Sequence, residues 1–167
     1  MTASNVETVT GGSLDDKITF GGAIVGGTID LGAGTDTLIL AAGTNGVTVA
    51  SIETVTGNTG ADTVVLATAM AGGTVNLSTG AHKLTLSSDG SNTLTIIAVE
   101  TVIGGSQDDT VTFGAAVTGS VDLGAGTDQH RDCGGTVGAN RPVQGGRTIR
   151  FGDVDVGALL DERTQHF

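Results

Sequence analysis

The sequence predicts an all-β protein built as a parallel β-solenoid. Three observations predict it: an internal repeat, a glycine turn that ends in an acidic residue in most units, and alternation of apolar residues after each turn. Of 167 residues, 29 are glycine, one is proline and none is Trp or Tyr. The periodic segments consist mainly of Val, Ile, Leu and Thr, and β-branched side chains favour strands over helices.

The repeat exists at two lengths. Long repeats begin near residues 5, 51 and 98, where "NVETVTGG", "SIETVTGN" and "AVETVIGG" align. Inside them lies a shorter theme, seen as "GGTIDLGAGTDTLIL", "GGTVNLSTGAHKLTL" and "TGSVDLGAGTD". A unit of about 20 residues cannot bury its own apolar face, but stacked units can. An antiparallel sandwich also has many short strands, yet it gives no reason for one turn to recur at near-constant spacing.

Each unit has a hinge, the last residue of the turn before the strand. The hinges are Asp16, Asp36, Asp62, His82, Asp109 and Asp128. Their spacing predicts coils of about 20–27 residues, with "NGVTVAS" and "SNTLTIIA" as third strands in the longer coils. We expect all six hinges to line one edge, with Asp36 stacked directly on Asp16.

The strand after each hinge has a period of two. The residues predicted to face the core are Ile18, Phe20, Leu38, Leu40, Val64, Leu66, Leu84, Leu86, Val111 and Phe113.

The formal net charge of −11 belongs entirely to residues 1–128, where 13 acidic residues face two lysines. This balance argues against nucleic acid and anionic membranes as partners, and it is compatible with a cation such as calcium. No apolar run is long enough to span a membrane, so we expect no membrane insertion. The segment "MTASNVETVT" has neither a basic stretch nor an apolar run, so we expect no N-terminal signal peptide in this chain.

The turns carry a family resemblance. They read "GGSLDDKIT", "LGAGTDTLI", "GNTGADTVV" and "GGSQDDTVT", and they resemble G-G-x-G-x-D-x-U-x, the calcium-binding nonapeptide of RTX (haemolysin-type) proteins. The chain is also similar to the wider group of bacterial β-strand-repeat surface proteins with degenerate units. The resemblance covers residues 5–128. It is imperfect, because Leu14 and Gln107 replace a glycine and His82 replaces the aspartate.

The resemblance implies calcium ions held between stacked turns by carboxylates and backbone carbonyl oxygens. The implied metal-site residues are Gly12, Asp15, Asp16, Gly32, Gly34, Asp36, Gly60, Asp62, Gly105, Asp108, Asp109, Gly124, Gly126 and Asp128. The alternative is that each aspartate only caps its turn by accepting hydrogen bonds from backbone N–H groups. Glu7, Glu53 and Glu100 sit at a predicted bend, where we expect solvated side chains rather than a second acidic row.

By this resemblance the chain is expected to be a calcium-binding structural segment of a large secreted or surface bacterial protein, such as a stalk, adhesin or surface-layer module. Its expected partners are calcium ions, with other repeats of the same parent protein or cell-surface glycans as further candidates. The alternative is a solenoid without metal; a more distant one is a β-helix enzyme acting on polysaccharide. We expect no enzyme, because the three histidines are scattered, Cys133 has no patterned partner and residues 1–128 contain no arginine.

The composition changes after Asp128, which places a domain boundary there. Residues 129–167 contain every arginine, the single cysteine and the single proline. We expect this tail to be atypical or poorly ordered, either as a diverged terminal cap or as the product of a disturbed reading frame.

Overall fold

The computed structural model describes residues 2–3, 8–115, 119–132, 142–144 and 149–150. All regular structure in these residues is β. The strands are β1 (Thr2–Ala3), β2 (Thr8–Gly12), β3 (Lys17–Phe20), β4 (Val25–Gly32), β5 (Thr37–Ile39), β6 (Gly46–Ala50), β7 (Thr54–Thr56), β8 (Thr63–Leu66), β9 (Ala71–Asn76), β10 (Lys83–Thr85), β11 (Thr93–Ile97), β12 (Thr101–Ile103), β13 (Thr110–Phe113), β14 (Ser120–Asp122), β15 (Thr127–Asp132), β16 (Pro142–Gln144) and β17 (Ile149–Arg150).

Successive strands alternate between two sheets. Strands with odd numbers up to β15 pair in order in one sheet, and those with even numbers up to β14 pair in order in the other. All of these pairs are parallel. One odd strand and the next even strand therefore form one coil, and the predicted parallel β-solenoid is confirmed.

The core lies between the two sheets. Its buried residues form one cluster, to which the odd sheet contributes residues such as Leu38 and Val55 and the even sheet residues such as Val47 and Val64. All ten residues predicted to face the core are buried. Since alternate side chains of a strand point to opposite faces, the period of two in the sequence determines the inner face directly.

Within the described residues, each coil of the parallel stack has two strands. The register offsets between neighbouring coils are 17 to 22 residues, shorter than the predicted 20–27. The segments that begin at Asn45 and Asn92 are full members of the stack, strands β6 and β11, and not third strands of longer coils. The expectation of third strands was wrong because the hinges of these two strands carry asparagine in place of an acidic residue.

A long repeat contains five strands, which is two and a half coils. The first strand after each repeated glutamate position is β2, β7 and β12 in turn, and these lie in the even, odd and even sheets. Corresponding residues of successive repeats therefore fall on opposite sides of the solenoid. One repeat advances the stack by about 12 Å, given strands roughly 4.8 Å apart, and adds half a turn.

The half turn separates the hinges into two groups. Hinges between an even and an odd strand lie at one edge, edge 1, which holds Asp16, Asp36, Asp109 and Asp128. Hinges between an odd and an even strand lie at the opposite edge, edge 2, which holds Asp62 and His82. The expectation of a single row was wrong for these last two residues.

The outer face of the odd sheet carries a row of five threonines in register. They are Thr37, Thr54, Thr74, Thr95 and Thr112. Lys17 precedes this row in the adjoining coil, and Arg131 follows it. Threonine fits this position because β-branched side chains pack well on a pleated, half-exposed surface.

The parallel stack ends within the tail. Strand β15 crosses the boundary placed at residue 128 and pairs parallel with β13 as far as Asp132. β16 and β17 then pair antiparallel with β15 and β14. The predicted atypical tail otherwise lies outside the described residues. In the part of the chain that the structure describes, no helix is long and apolar enough to cross a membrane.

The glycines of the "LGAGTD" turns have a steric cause. Gly32 has a φ of +86°, and a Cβ there would overlap the carbonyl oxygen of Gly12 in the preceding coil. A Cβ on Gly34 would lie 2.8 Å from the carbonyl oxygen of Leu14. Leu14 itself is 78% exposed. The fourth-position glycine is therefore needed only in the later turn of the pair, which explains why Leu14 is tolerated in the earlier one.

We predict that Gly32→Ala destabilises the protein by at least about 1–3 kcal/mol, because the left-handed backbone and the close inter-coil approach are both violated. Urea denaturation followed by circular dichroism measures the change. Gly12→Ala in the facing turn is the matched control, since a Cβ on Gly12 meets nothing within 4 Å. Equal losses in the two variants would contradict the steric explanation.

Candidate functional site

The hinges of neighbouring coils are joined by hydrogen bonds that we call the hinge ladders. In each step the backbone N–H of one hinge residue donates to the side chain of the hinge residue in the next coil. On edge 1 the steps run from Asp16 to Asp36 Oδ1 at 2.7 Å, from Asp36 to Glu53 Oε2 at 2.7 Å, from Met70 to Asn92 Oδ1 at 3.2 Å, from Asn92 to Asp109 Oδ1 at 2.8 Å and from Asp109 to Asp128 Oδ1 at 2.8 Å. Between Glu53 and Met70 this ladder is interrupted, and the N–H of Glu53 donates instead to the carbonyl oxygen of Asp36 at 3.3 Å.

Edge 2 carries the same ladder. Its steps run from Ile24 to Asn45 Oδ1 at 3.1 Å, from Asn45 to Asp62 Oδ1 at 3.1 Å, from Asp62 to His82 Nδ1 at 3.1 Å and from His82 to Glu100 Oε2 at 2.7 Å. The hinge side chains are buried at Asp36, Asn45, Asp62, His82, Asn92, Asp109 and Asp128. The carboxylates therefore turn into the edge and do not form an exposed acidic row.

Two pairs of turns on edge 1 also bond in the reverse direction. Asp15 Oδ1 accepts the N–H of Thr35 in the next coil at 2.8 Å, while the N–H of Asp16 donates to Asp36 at 2.7 Å. The same reciprocal pair recurs five coils later. There Asp108 Oδ1 accepts from Thr127 at 2.6 Å, and the N–H of Asp109 donates to Asp128. The first aspartate of each "DD" thus bonds to the next coil through its carboxylate and the second through its backbone N–H. The second carboxylate caps its own turn, since the Oδ2 of Asp16 accepts the N–H of Gly12 at 3.1 Å, and that of Asp109 accepts the N–H of Gly105 at 3.3 Å.

Sequence reasoning missed Asn45 and Asn92. The Nδ2 of Asn45 donates to the carbonyl oxygen of Ala41 at 2.9 Å and to Asp62 Oδ1 at 2.7 Å. Asn92 donates likewise to Ser87 and Asp109. A signal in the sequence could have revealed them. The two asparagines lie 47 residues apart, and each is followed by the same alternating strand pattern that follows an acidic hinge.

The prediction of solvated glutamates was wrong for Glu53 and Glu100. Both are half-buried, and both accept the hinge N–H of the preceding coil. The predicted bend is present, because Ser51 and Ala98, each two residues before the glutamate, have φ values of 52° and 53°. That bend lets the longer glutamate side chain reach the ladder. Glu7 lies outside the described residues.

His82 replaces a carboxylate without breaking the ladder. Its Nδ1 accepts the N–H of Asp62, so the neutral ring carries its proton on Nε2. Nε2 is buried and has no hydrogen-bond partner among the described residues. The Asp62 Oδ2 lies 3.7 Å from Nδ1. The hinge therefore requires an acceptor rather than a negative charge.

Three hinge aspartates keep one oxygen without a partner. The Oδ2 atoms of Asp36, Asp62 and Asp128 are buried and accept no hydrogen bond from the described residues. Burial, as the main cause, raises the pKa of Asp128, with the nearby carboxylates of Asp109, Asp108 and Asp122 acting in the same direction. The backbone N–H of Asp109 opposes this rise, because hydrogen bonding favours the ionised form.

The structure divides the predicted metal-site residues into three groups. Gly12, Asp15, Asp16, Gly32, Gly34 and Asp36 lie in facing turns on edge 1, Gly105, Asp108, Asp109, Gly124, Gly126 and Asp128 repeat that arrangement five coils later, and Gly60 and Asp62 lie on edge 2. Within the described ranges, no three His, Cys, Asp or Glu side chains form a group that could hold a metal ion.

Comparisons with known proteins add no relative. No protein-family model, no curated protein and no solved structure matches this chain.

We predict that Asp36→Ala costs about 1–3 kcal/mol, because the backbone N–H of Asp16 loses its acceptor. Asp36→Asn should cost less than about 1 kcal/mol, since asparagine already serves as the acceptor at two other hinges. Urea denaturation of both variants measures the difference. If the two variants lose stability equally, the charge of the hinge matters and not its acceptor.

The raised pKa of Asp128 predicts a pH effect with a definite sign. A carboxyl whose folded pKa exceeds its unfolded value of 3.8 lowers stability as the pH rises from the unfolded towards the folded pKa. We expect Asp128→Asn to be more stable than the wild type at about pH 7, with the advantage vanishing below 3.8. Urea midpoints measured across this pH range test it, and an advantage that persists in acid would contradict it.

Proposed function

We propose that this chain is a structural β-solenoid segment whose hinge side chains hold successive coils together. The observation that carries the proposal is the hinge ladder, in which side chains on both edges accept the N–H of the preceding coil. Hinge N–H groups at the edge of a turning chain need partners when they are buried, and the ladder supplies them. The carboxylates of the turns thus have a role that requires no ligand.

The other residues of the turn motif also join adjacent coils. Its glycines allow the backbones of adjacent coils to approach, and the first aspartate of each "DD" pair accepts the reciprocal bond from the next turn. A stack held in this way can extend by further repeats without changing its chemistry. As part of the same proposal, the segment serves as a stalk or spacer in a larger secreted or surface protein, as the family resemblance implies.

Calcium binding is a second candidate, favoured by one observation. Asp36 and Asp128 belong to the two "LGAGTD" turns, and each retains a buried oxygen that accepts no hydrogen bond from the residues that the structure describes. Calcium prefers such oxygen ligands. A cation between these turns would also relieve the repulsion among neighbouring carboxylates.

Calcium titration separates the two candidates. Titration calorimetry of the chelator-treated full chain should show no saturable binding at millimolar calcium, and the melting temperature should be the same in calcium and in chelator. If calcium instead binds to the folded state, about 100 times its Kd would stabilise the protein by about 2.7 kcal/mol. That result would overturn the metal-free proposal.

Variants locate any binding that is seen. Asp36→Asn keeps the ladder acceptor but removes a charged ligand, and Asp89→Asn removes an exposed carboxylate outside both ladders. Loss of binding in the first variant alone would place calcium at the paired turns. If neither variant loses calcium binding, the measured heat comes from diffuse attraction of calcium to the acidic protein and not from a defined site.

A further inference from the structure

Asn45 and Gly46 form an unusual step in the edge 2 ladder. Asn45 is 1% exposed. Its Nδ2 donates to the carbonyl oxygens of Ala41 at 2.9 Å and Gly43 at 3.1 Å, and to Asp62 Oδ1 at 2.7 Å. The N–H of Gly46 donates to the carbonyl oxygen of Ile24 at 2.7 Å.

An asparagine followed by glycine is chemically prone to deamidation. The deprotonated backbone nitrogen of Gly46 would attack the side-chain Cγ of Asn45, a step that a Cβ on the second residue hinders. A C–N bond forms, the side-chain amide C–N bond breaks, and the nitrogen leaves as ammonia. Water then opens the cyclic imide at one of its two carbonyls, giving aspartate or isoaspartate. The reaction requires no oxidant or reductant.

The closed coil opposes this reaction at both reacting groups. The attacking nitrogen has its proton bonded to Ile24, and the leaving amide is held by three acceptors. We propose that Asn45–Gly46 is a cryptic deamidation site, protected while edge 2 is closed and reactive when the coil opens locally. This inference rests on the ladder contacts and not on the proposed function.

The fold itself does not require glycine at position 46. Its φ is not in the left-handed region, and a Cβ there would meet no atom closer than the nitrogen of Gly26 at 3.7 Å. The residues in register with it in the next two coils are Thr63 and Lys83. Gly46 differs in this respect from Gly32, and a side chain can replace it without strain.

Deamidation would hinder the edge from closing again. The product carboxylate at position 45 places an acceptor where Nδ2 now donates, opposite Asp62 Oδ1 and the carbonyl oxygens of Ala41 and Gly43. The two carboxylates would repel each other, and the carbonyl oxygens would lose their donor. The isoaspartate form also adds a backbone atom at the hinge, which disturbs the register of the coil. The modified edge therefore recloses poorly.

The chain contains its own comparator. Asn92 is also buried, and its Nδ2 makes the corresponding bonds to Ser87 at 2.9 Å, Gly90 at 3.3 Å and Asp109 at 2.8 Å. It is followed by Thr93, whose Cβ hinders the attack. The two sites have matched surroundings and differ in the residue that follows.

To test this proposal, the full chain is incubated at about pH 8 in native buffer and in denaturing urea. The extent of deamidation at Asn45 and Asn92 is then followed over time by peptide mass spectrometry. In urea we expect Asn45 to deamidate at least about tenfold faster than Asn92, and in native buffer at least about tenfold more slowly than in urea, because protection scales with the opening equilibrium. Gly46→Thr should suppress the reaction in urea, and Thr93→Gly should create it at Asn92.

Two outcomes would overturn the proposal. Equal rates for Asn45 in native buffer and in urea would show that the fold does not protect it, and equal rates for Asn45 and Asn92 in urea would show that the glycine is irrelevant. The expected poor reclosing of edge 2 is tested with Asn45→Asp, which should have a lower urea midpoint than Gly46→Thr. An unchanged midpoint would refute poor reclosing.

Discussion

The hydrogen bond from the backbone N–H of one hinge to the side chain of the next is the interaction on which the solenoid depends. At the hinge the chain leaves one sheet and enters the other, so its N–H needs an acceptor outside the turn, and an unpaired buried N–H is costly. At most hinges the following coil provides that acceptor, at distances of 2.7 to 3.2 Å. The requirement explains why a polar residue recurs at most hinges, whereas Ile24 and Met70 take part only as donors.

The requirement concerns an acceptor atom and not one residue type. Aspartate, asparagine, glutamate and histidine all occupy ladder positions. Glutamate serves where the backbone bends two residues earlier, since its longer side chain spans the added distance. Replacement of the aspartate by His82 therefore leaves the hydrogen-bond pattern intact, although the buried Nε2 finds no partner in the described part of the chain.

Because one long repeat spans two and a half coils, the two edges of the solenoid carry chemically similar hinges. Five strands per repeat return equivalent residues to the same edge only after two repeats, or five coils. For this reason the "GGSLDD" and "GGSQDD" turns, both followed by "LGAGTD", build the same paired network twice on edge 1. The intervening repeat places its own version on edge 2, where Ala61 stands in place of Asp15 and has no carboxylate to accept a reciprocal bond.

The sequence by itself determined the fold class and the inner face of each strand, because a period of two and a repeat of fixed turns leave few alternatives to a parallel stack. It also determined that Asp36 stacks on Asp16, since these hinges are one coil apart in chain order. Only the tertiary structure decided which edge each hinge occupies, because that depends on counting every strand, including those that begin at Asn45 and Asn92. It likewise decided that glutamates at a bend enter the ladder. Their acceptor role depends on a backbone turn that brings them to the next coil, and no local pattern of charge specifies that contact.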